Sequence, residues 1–185
     1  MSGELEVVQL ECELFPERVV SAVRFVEVTN AASIRKEAMS GSLGQLAVLD
    51  GSLVIGPTQL AIATMRALLA DASNSLITHT VHSEIIYGLS PSSSISAAFK
   101  NHGVSKKSKS LVLVWVDGDA EAMKEVCGKV AGTMVPVGAD EHDWMQVADM
   151  AAVARVYDIG DSLDAHTSHD EILRLVLEKM ALRDA

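Results

Sequence analysis

Leu111-Val112-Leu113-Val114-Trp115-Val116 is an unbroken apolar hexapeptide in which every second residue is valine. A run of this length and composition reads as a β-strand, and the absence of polar alternation puts it at the centre of a sheet. Upstream, Ser94 is placed to cap a short helix, Ile95 to His102, that Gly103 ends. Before that, Thr80 to Leu89 reads as a helix followed by the loop Ser90-Pro91-Ser92-Ser93. Pro57 suits the first turn of a helix over Thr58 to Asp71. Leu46 to Leu49 and Ser52 to Ile55 are short apolar pieces parted by the turn signal Asp50-Gly51. Asn30 is expected to cap a helix from Ala31 to Met39, stopped by Gly41.

Glu4 to Leu10 and Arg18 to Val28 read as two strands joined through the turn at Pro16. Downstream of the hexapeptide come a helix from Ala120 to Val130, a strand from Thr133 to Val137 and a helix from Met145 to Ala154. The last helix opens with Ser168-His169-Asp170-Glu171, a capping box. Strands and helices intermix without strict βαβ alternation. The expectation is an α+β fold, one mainly antiparallel or mixed β-sheet covered by helices.

The 185 residues suffice for one domain with a proper core, built from Val, Leu, Ile, Ala and Met because only 4% are aromatic. No apolar run reaches the 18 residues of a membrane span, and the acidic start is unlike a secretory signal. A soluble intracellular protein is expected, with no membrane partner. Cys12 and Cys127 are far apart and form no C-x-x-C pair, so they read as two buried free thiols.

Net charge is −10, which on average repels nucleic acid, but the charge is unevenly spread. From Ile85 to Val116 there is no Asp or Glu, while Lys100, Lys106, Lys107 and Lys109 fall there. From Val130 to Leu173 nine acids face the single cation Arg155. The acid-free segment is the candidate RNA surface: Lys100 on the short helix, three lysines in the loop before the strand, and backbone N–H groups at the Ser94 helix start. A solvated loop is the alternative reading.

Three clusters could carry metal or acid–base chemistry. His79, His82 and Glu84 lie at helical spacing near a helix start, and histidines three apart can share an ion. His166, His169 and Glu171 form a second group, although the capping box already accounts for part of it. Asp140-Glu141-His142-Asp143 reads as a solvated acidic loop. No phosphate-binding glycine motif and no G-x-S-x-G nucleophile elbow occurs. A small α+β enzyme using His79, His82 and Glu84 is therefore the weaker hypothesis, and a non-catalytic protein without a cofactor is the stronger.

The segment from His82 to Val104, HSEIIYGLSPSSSISAAFKNHGV, resembles the TPRKB family. The features are a Ser-Glu-Ile-Ile helix, Leu-Ser-Pro, a polar triplet, then Ile-Ser and a short helix ending in Gly. Asn30-Ala31 with Arg35-Lys36-x-Ala38-Met39-x-Gly41, and Ser52 through Pro57, add to the likeness, which runs from about Leu5 to Val116 and fades in the last third. The triplet, often Asn-rich in the family, is Ser92-Ser93-Ser94 here, and His79 stands where a basic residue often falls.

The resemblance implies a single domain over residues 1–185 acting as an adaptor in the KEOPS (EKC) complex, which makes threonylcarbamoyl-adenosine in tRNA. It implies no catalysis by this chain, binding to the N-terminal lobe of a PRPK-type atypical kinase, indirect contact with other KEOPS subunits, and residence in cytoplasm and nucleus. In archaeal relatives it extends to capture of the tRNA 3′ end.

A kinase-binding surface needs an apolar face that the core leaves free. At 100° per residue, Ile172, Leu173, Leu175, Val176, Leu177, Met180 and Leu182 sweep roughly 220° of the last helix, wider than a one-sided helix requires. Leu173, Val176, Leu177 and Met180 are assigned to the core, and Ile172, Leu175 and Leu182 to the kinase. The alternative is a helix sandwiched within the monomer.

Overall fold

In the computed structural model, which describes residues 7–10, 12–137, 141–164 and 166–183, the hexapeptide is strand β4 (Leu111–Val116). Numbering the described elements in chain order, β1 is Val8–Leu10, β2 Val20–Val26, α1 Ala31–Ser40, β3 Ala47–Asp50, α2 Pro57–Ala72, α3 Val81–Leu89 and α4 Ile95–His102. After β4 come α5 (Ala120–Lys129), β5 (Thr133–Val135), α6 (Glu141–Met145), α7 (Met150–Val156) and α8 (His169–Leu182). A 3-10 turn, Gly51–Leu53, links β3 to the segment entering α2.

β4 lies between β2 and β3, antiparallel to both. The far edge of β2 is shared: β1 pairs with its first half, around Ser21, and β5 with its second, around Phe25. Every named pairing is antiparallel, so the α+β expectation holds.

The continuous apolar character of β4 follows from coverage of both sheet faces. Val112, Val114 and Val116 point into a cluster with Leu60 of α2, Ile85 and Leu89 of α3, Val153 of α7 and Val176 of α8. Leu111, Leu113 and Trp115 point the other way, among Ile34 of α1 and Val126 of α5. Each side chain fully removed from water contributes about 1.5–3 kcal/mol, so a polar residue at any of the six positions would be costly. α3 is the most enclosed helix: His82 and every residue from Glu84 to Leu89 are buried.

Local signals explain most helix ends. Gly41 takes a left-handed φ of 75° and its N–H returns to the last turn of α1. Ser94 accepts from the N–H of Ala97, and Ser168 and Glu171 complete the expected capping box. Gly103 stops α4 for a different reason: its φ is −75°, but a Cβ there would lie 2.6 Å from the carbonyl oxygen of Phe99.

Three expectations need correction. Asn30 stands at the N-cap position of α1 but its side chain makes no capping bond; its amide donates to the Lys129 carbonyl and accepts from the Ala131 N–H, tying the start of α1 to the end of α5. The helix expected over Met145 to Ala154 is two helices, because Asp149 accepts from the N–H of Ala152 and so starts α7 afresh. The acidic stretch from Asp140 is not wholly loop: Glu141 to Asp143 open α6, and Asp140 lies outside the described residues. Residues 4–6 of the first expected strand also lie outside them, and the strand seen is Val8–Leu10. Cys12 and Cys127 are free and buried, and burial pushes the Cys127 thiol up to about 11.

Candidate binding surfaces

The start of α3 does not assemble a metal site. Thr80 and Ser83 form a reciprocal capping box there. His82 is buried, and its Nε2 accepts the backbone N–H of Val116 at 3.1 Å, against the sheet. Glu84, also buried, is engaged elsewhere: one carboxylate oxygen accepts from the N–H and hydroxyl of Thr78, at 2.7 and 2.6 Å. His79 is exposed. Residues two apart on a helix diverge by about 200°, which separates His82 from Glu84 whatever the sequence spacing suggests.

The second cluster is held by local turns. The backbone N–H of His166 donates to Asp164, and Glu171 accepts from Ser168. Among the described residues no group of three His, Cys, Asp or Glu side chains is placed to hold a metal ion. The metal reading of His79, His82 and Glu84 is therefore set aside.

α8 packs with one stripe inward: Ile172, Val176 and Met180, spaced by four, are all buried. Ile172, at 9% exposure, belongs to the core and is not left for a partner, a correction of one sequence assignment. The apolar arc is too wide for its phase to be read from sequence, and packing against α2 and α6 sets it. Leu173, Leu175 and Leu177 flank the stripe, half-buried. Leu182, seven residues after Leu175 on the same face, is 58% exposed.

The end of α8 is clamped by two arginines. Arg66 on α2 donates to the Met180 carbonyl at 2.8 Å. Arg183 donates to the carbonyls of Tyr87 and Ser90, and its guanidinium carbon sits 4.2 Å from the Tyr87 ring centroid. Around this clamp lie exposed Ile62 and Leu69, four before and three after Arg66 on α2, and exposed Ile77, which shares a cavity of about 130 Å³ with Arg66 and Arg183. With Leu182 they make an apolar strip. Sequence reading missed its α2 half, because α2 is apolar on several sides and nothing local marks which side stays in water.

On another face, a groove of about 420 Å³ runs between α1, α3, α4 and β3, lined by Arg35, Met39, Leu46, Ile86, Phe99 and Val104 among others, with no acid in its wall. Phe99 is 38% exposed. Lys100 follows it on α4, and Lys106, Lys107 and Lys109 project from the loop into β4; all four are exposed, as is Ser94. That loop is pinned: the Ser105 N–H donates to the Ser108 hydroxyl, which donates to Asp50 at 2.5 Å.

The antiparallel sheet is thus covered on both faces, with an apolar strip on one side of the molecule and an acid-free groove on another. The chain matches the family model "Kinase binding protein CGI-121" over residues 25–184 and belongs to that family. It is 30% identical over 176 residues to the zebrafish (Danio rerio) EKC/KEOPS complex subunit TPRKB, covering 94% of this chain and 96% of that one. It is also 30% identical over 174 residues to the EKC/KEOPS complex subunit cgi121 of Schizosaccharomyces pombe, covering 92% and 96%. The corresponding Candida glabrata subunit is 28% identical over 171 residues, covering 91% and 95%.

Proposed function

We propose that this chain is a non-catalytic subunit of an EKC/KEOPS complex that binds an atypical kinase of the PRPK type through the strip around the end of α8. The observation that carries the reading is the grouping of Ile62, Leu69, Ile77 and Leu182 in solvent beside a helix end held by Arg66 and Arg183. Neighbouring exposed apolar side chains mark interaction sites on soluble domains. Leu175, half-buried on the face of Leu182, forms the inner margin of the strip. Through the kinase the chain meets the other subunits indirectly and supports threonylcarbamoyl-adenosine modification of tRNA. The same reading expects residence in cytoplasm and nucleus, checked by cell fractionation.

The test is a pulldown of the purified chain with the cognate kinase, comparing wild type, Leu182→Asp and Leu69→Asp, each checked for folding by circular dichroism. Capture by wild type that either charge weakens at least tenfold supports both role and strip. Capture that survives both substitutions discards the strip. No capture at about micromolar concentration removes the adaptor reading.

Direct tRNA contact is a second element of the proposal. It is supported by the acid-free groove with the exposed Phe99 and the lysines at 100, 106, 107 and 109. Single-stranded RNA is bound by cationic grooves that offer an aromatic face for stacking, with phosphate contacts from lysines and helix-start N–H groups such as those at Ser94.

A further inference from the structure

Arg183, one residue past Leu182 of the strip, grips the end of α3. It donates to the Tyr87 carbonyl at 2.6 Å and to the Ser90 carbonyl at 3.3 Å, and its guanidinium lies over the Tyr87 ring. That ring reaches onward: the Tyr87 hydroxyl donates to the Ser93 carbonyl at 3.3 Å, one residue before the cap of α4. Between these two holds the loop carries a ladder of serine hydroxyls. Ser90 Oγ accepts the Ser92 N–H, Ser92 Oγ the Ser94 N–H, and Ser94 Oγ the Ala97 N–H, at 3.1, 3.2 and 3.3 Å. An unbroken run of contacts therefore joins the end of α8 to the first turn of α4, the helix that carries Phe99 and Lys100.

A helix end opens more readily than the rest of the helix, because its last carbonyls have no partner within it. Arg66 fixes α8 at the Met180 carbonyl, which leaves the residues after it, Leu182 and Arg183 included, as the part that can open. Docked, this turn joins Leu182 to Ile62, Leu69 and Ile77 and sets Arg183 on Tyr87; opened, it loses both at once. The Tyr87 hydroxyl bond is long for an O–H donor, so the free chain leaves the run of contacts slack at that joint. A partner that binds the strip selects the docked turn, and a ligand that binds α4 gains from a loop already ordered. We propose that Tyr87 is a positioning residue linking the two faces: seating the kinase on the strip tightens the Ser90 to Ser93 loop and raises affinity for RNA at α4. This link rests on the kinase and RNA reading of the two faces.

The experiment measures tRNA affinity of the full chain by fluorescence anisotropy, alone and saturated with the cognate kinase, for wild type, Tyr87→Phe and Ser92→Ala. Tyr87→Phe keeps the ring under Arg183 and removes only the hydroxyl; Ser92→Ala breaks the ladder at its middle rung. Wild type should bind tRNA about fivefold more tightly with the kinase in place, and tRNA should tighten kinase binding by the same factor. Both variants should capture the kinase as wild type does and lose most of that gain. In hydrogen exchange without RNA, the kinase should slow the N–H groups of Ser94 and Ala97 in wild type and not in Tyr87→Phe. Partners that bind wild type independently of each other overturn the link and leave the adaptor reading standing. So does a gain that persists undiminished in Tyr87→Phe, which marks direct contact between kinase and RNA. No capture of kinase or of tRNA at about micromolar concentration removes the adaptor reading itself, and the link with it.

Discussion

Val116 gives its backbone N–H to Nε2 of His82, so the last residue of the central strand is tied to the second residue of the most buried helix. The imidazole must accept at that nitrogen, which makes neutral His82 the form the fold needs. Burial lowers its pKa, Arg18 lowers it further, and Asp117 and Asp71 oppose the shift. His102, on α4, is buried too, with both ring nitrogens unpartnered and its ring 5.8 Å from that of Tyr157, and burial pushes it down to about 3.

Both histidines therefore make stability fall on acidification. The unfolded chain binds their protons near the ordinary histidine pKa, and the folded chain does so only at lower pH. For His102 the contribution is fully present above about pH 6.5 and is lost as pH falls toward about 3, at up to about 1.4 kcal/mol per pH unit; His82 adds a loss of the same sign. Urea midpoints at pH 7, 6 and 5 should decline. His102→Met should remove part of that slope without lowering stability at pH 7.

Tyr157 joins three elements through its hydroxyl, which donates to the Leu89 carbonyl at 2.8 Å and accepts from Gln59 Nε2 at 2.7 Å. Tyr157→Phe removes the hydroxyl from the buried Leu89 carbonyl and leaves the Gln59 amide only its long bond to the Leu53 carbonyl, so a loss of about 1–3 kcal/mol is expected. Equilibrium unfolding monitored by circular dichroism measures it.

The break between α6 and α7 depends on Asp149, which accepts from the Ala152 N–H while its own N–H donates to the Ser52 carbonyl. Asp149→Ala removes only the side-chain half of this and should cost about 1 kcal/mol. Asp149→Asn should recover most of it, as a cap requires and a simple charge effect does not.

For RNA, the double variant Lys106→Glu, Lys107→Glu should weaken tRNA binding about tenfold near 0.1 M salt and reduce the slope of log affinity against log salt by about 1.4. Phe99→Ala should weaken binding by a similar factor while leaving the slope unchanged, because stacking releases no counterions. Fluorescence anisotropy with labelled tRNA over a salt series separates the two. Equal slopes for wild type and the double variant would place the RNA elsewhere.

Much of the architecture could be read directly because its causes are local. Pro57, Gly41, Ser94 and Ser168 act within one turn of their own positions, and the valine-rich hexapeptide needs nothing but its composition to mark the sheet centre. What escaped is non-local. Asn30 has the right chemistry for a cap, but residues about a hundred positions away claim its amide. Ile172 and Leu182 look alike in a helix apolar around most of its circumference, and only packing distinguishes the buried one from the exposed one. The strip joining α2 to α8 and the stacking of Arg24 on Trp144 likewise exist only once the sheet has assembled. His79, His82 and Glu84 show the reverse error, a pattern that looks chemical in one dimension and is pulled apart in three.

The enclosure of α3 changes what its sequence can be taken to mean. Ser-Glu-Ile-Ile-Tyr-Gly-Leu-Ser, part of the segment whose wording resembles the TPRKB family, is almost entirely interior: Glu84 steadies the turn before its helix, Ile85 and Leu89 fill the core, and the Tyr87 carbonyl receives Arg183. A match in such a stretch certifies common ancestry of the scaffold and is silent on what the scaffold holds. Two members could agree there letter for letter and still grip different molecules, because any divergence in trade would be written on the outer faces of α2, α4 and α8.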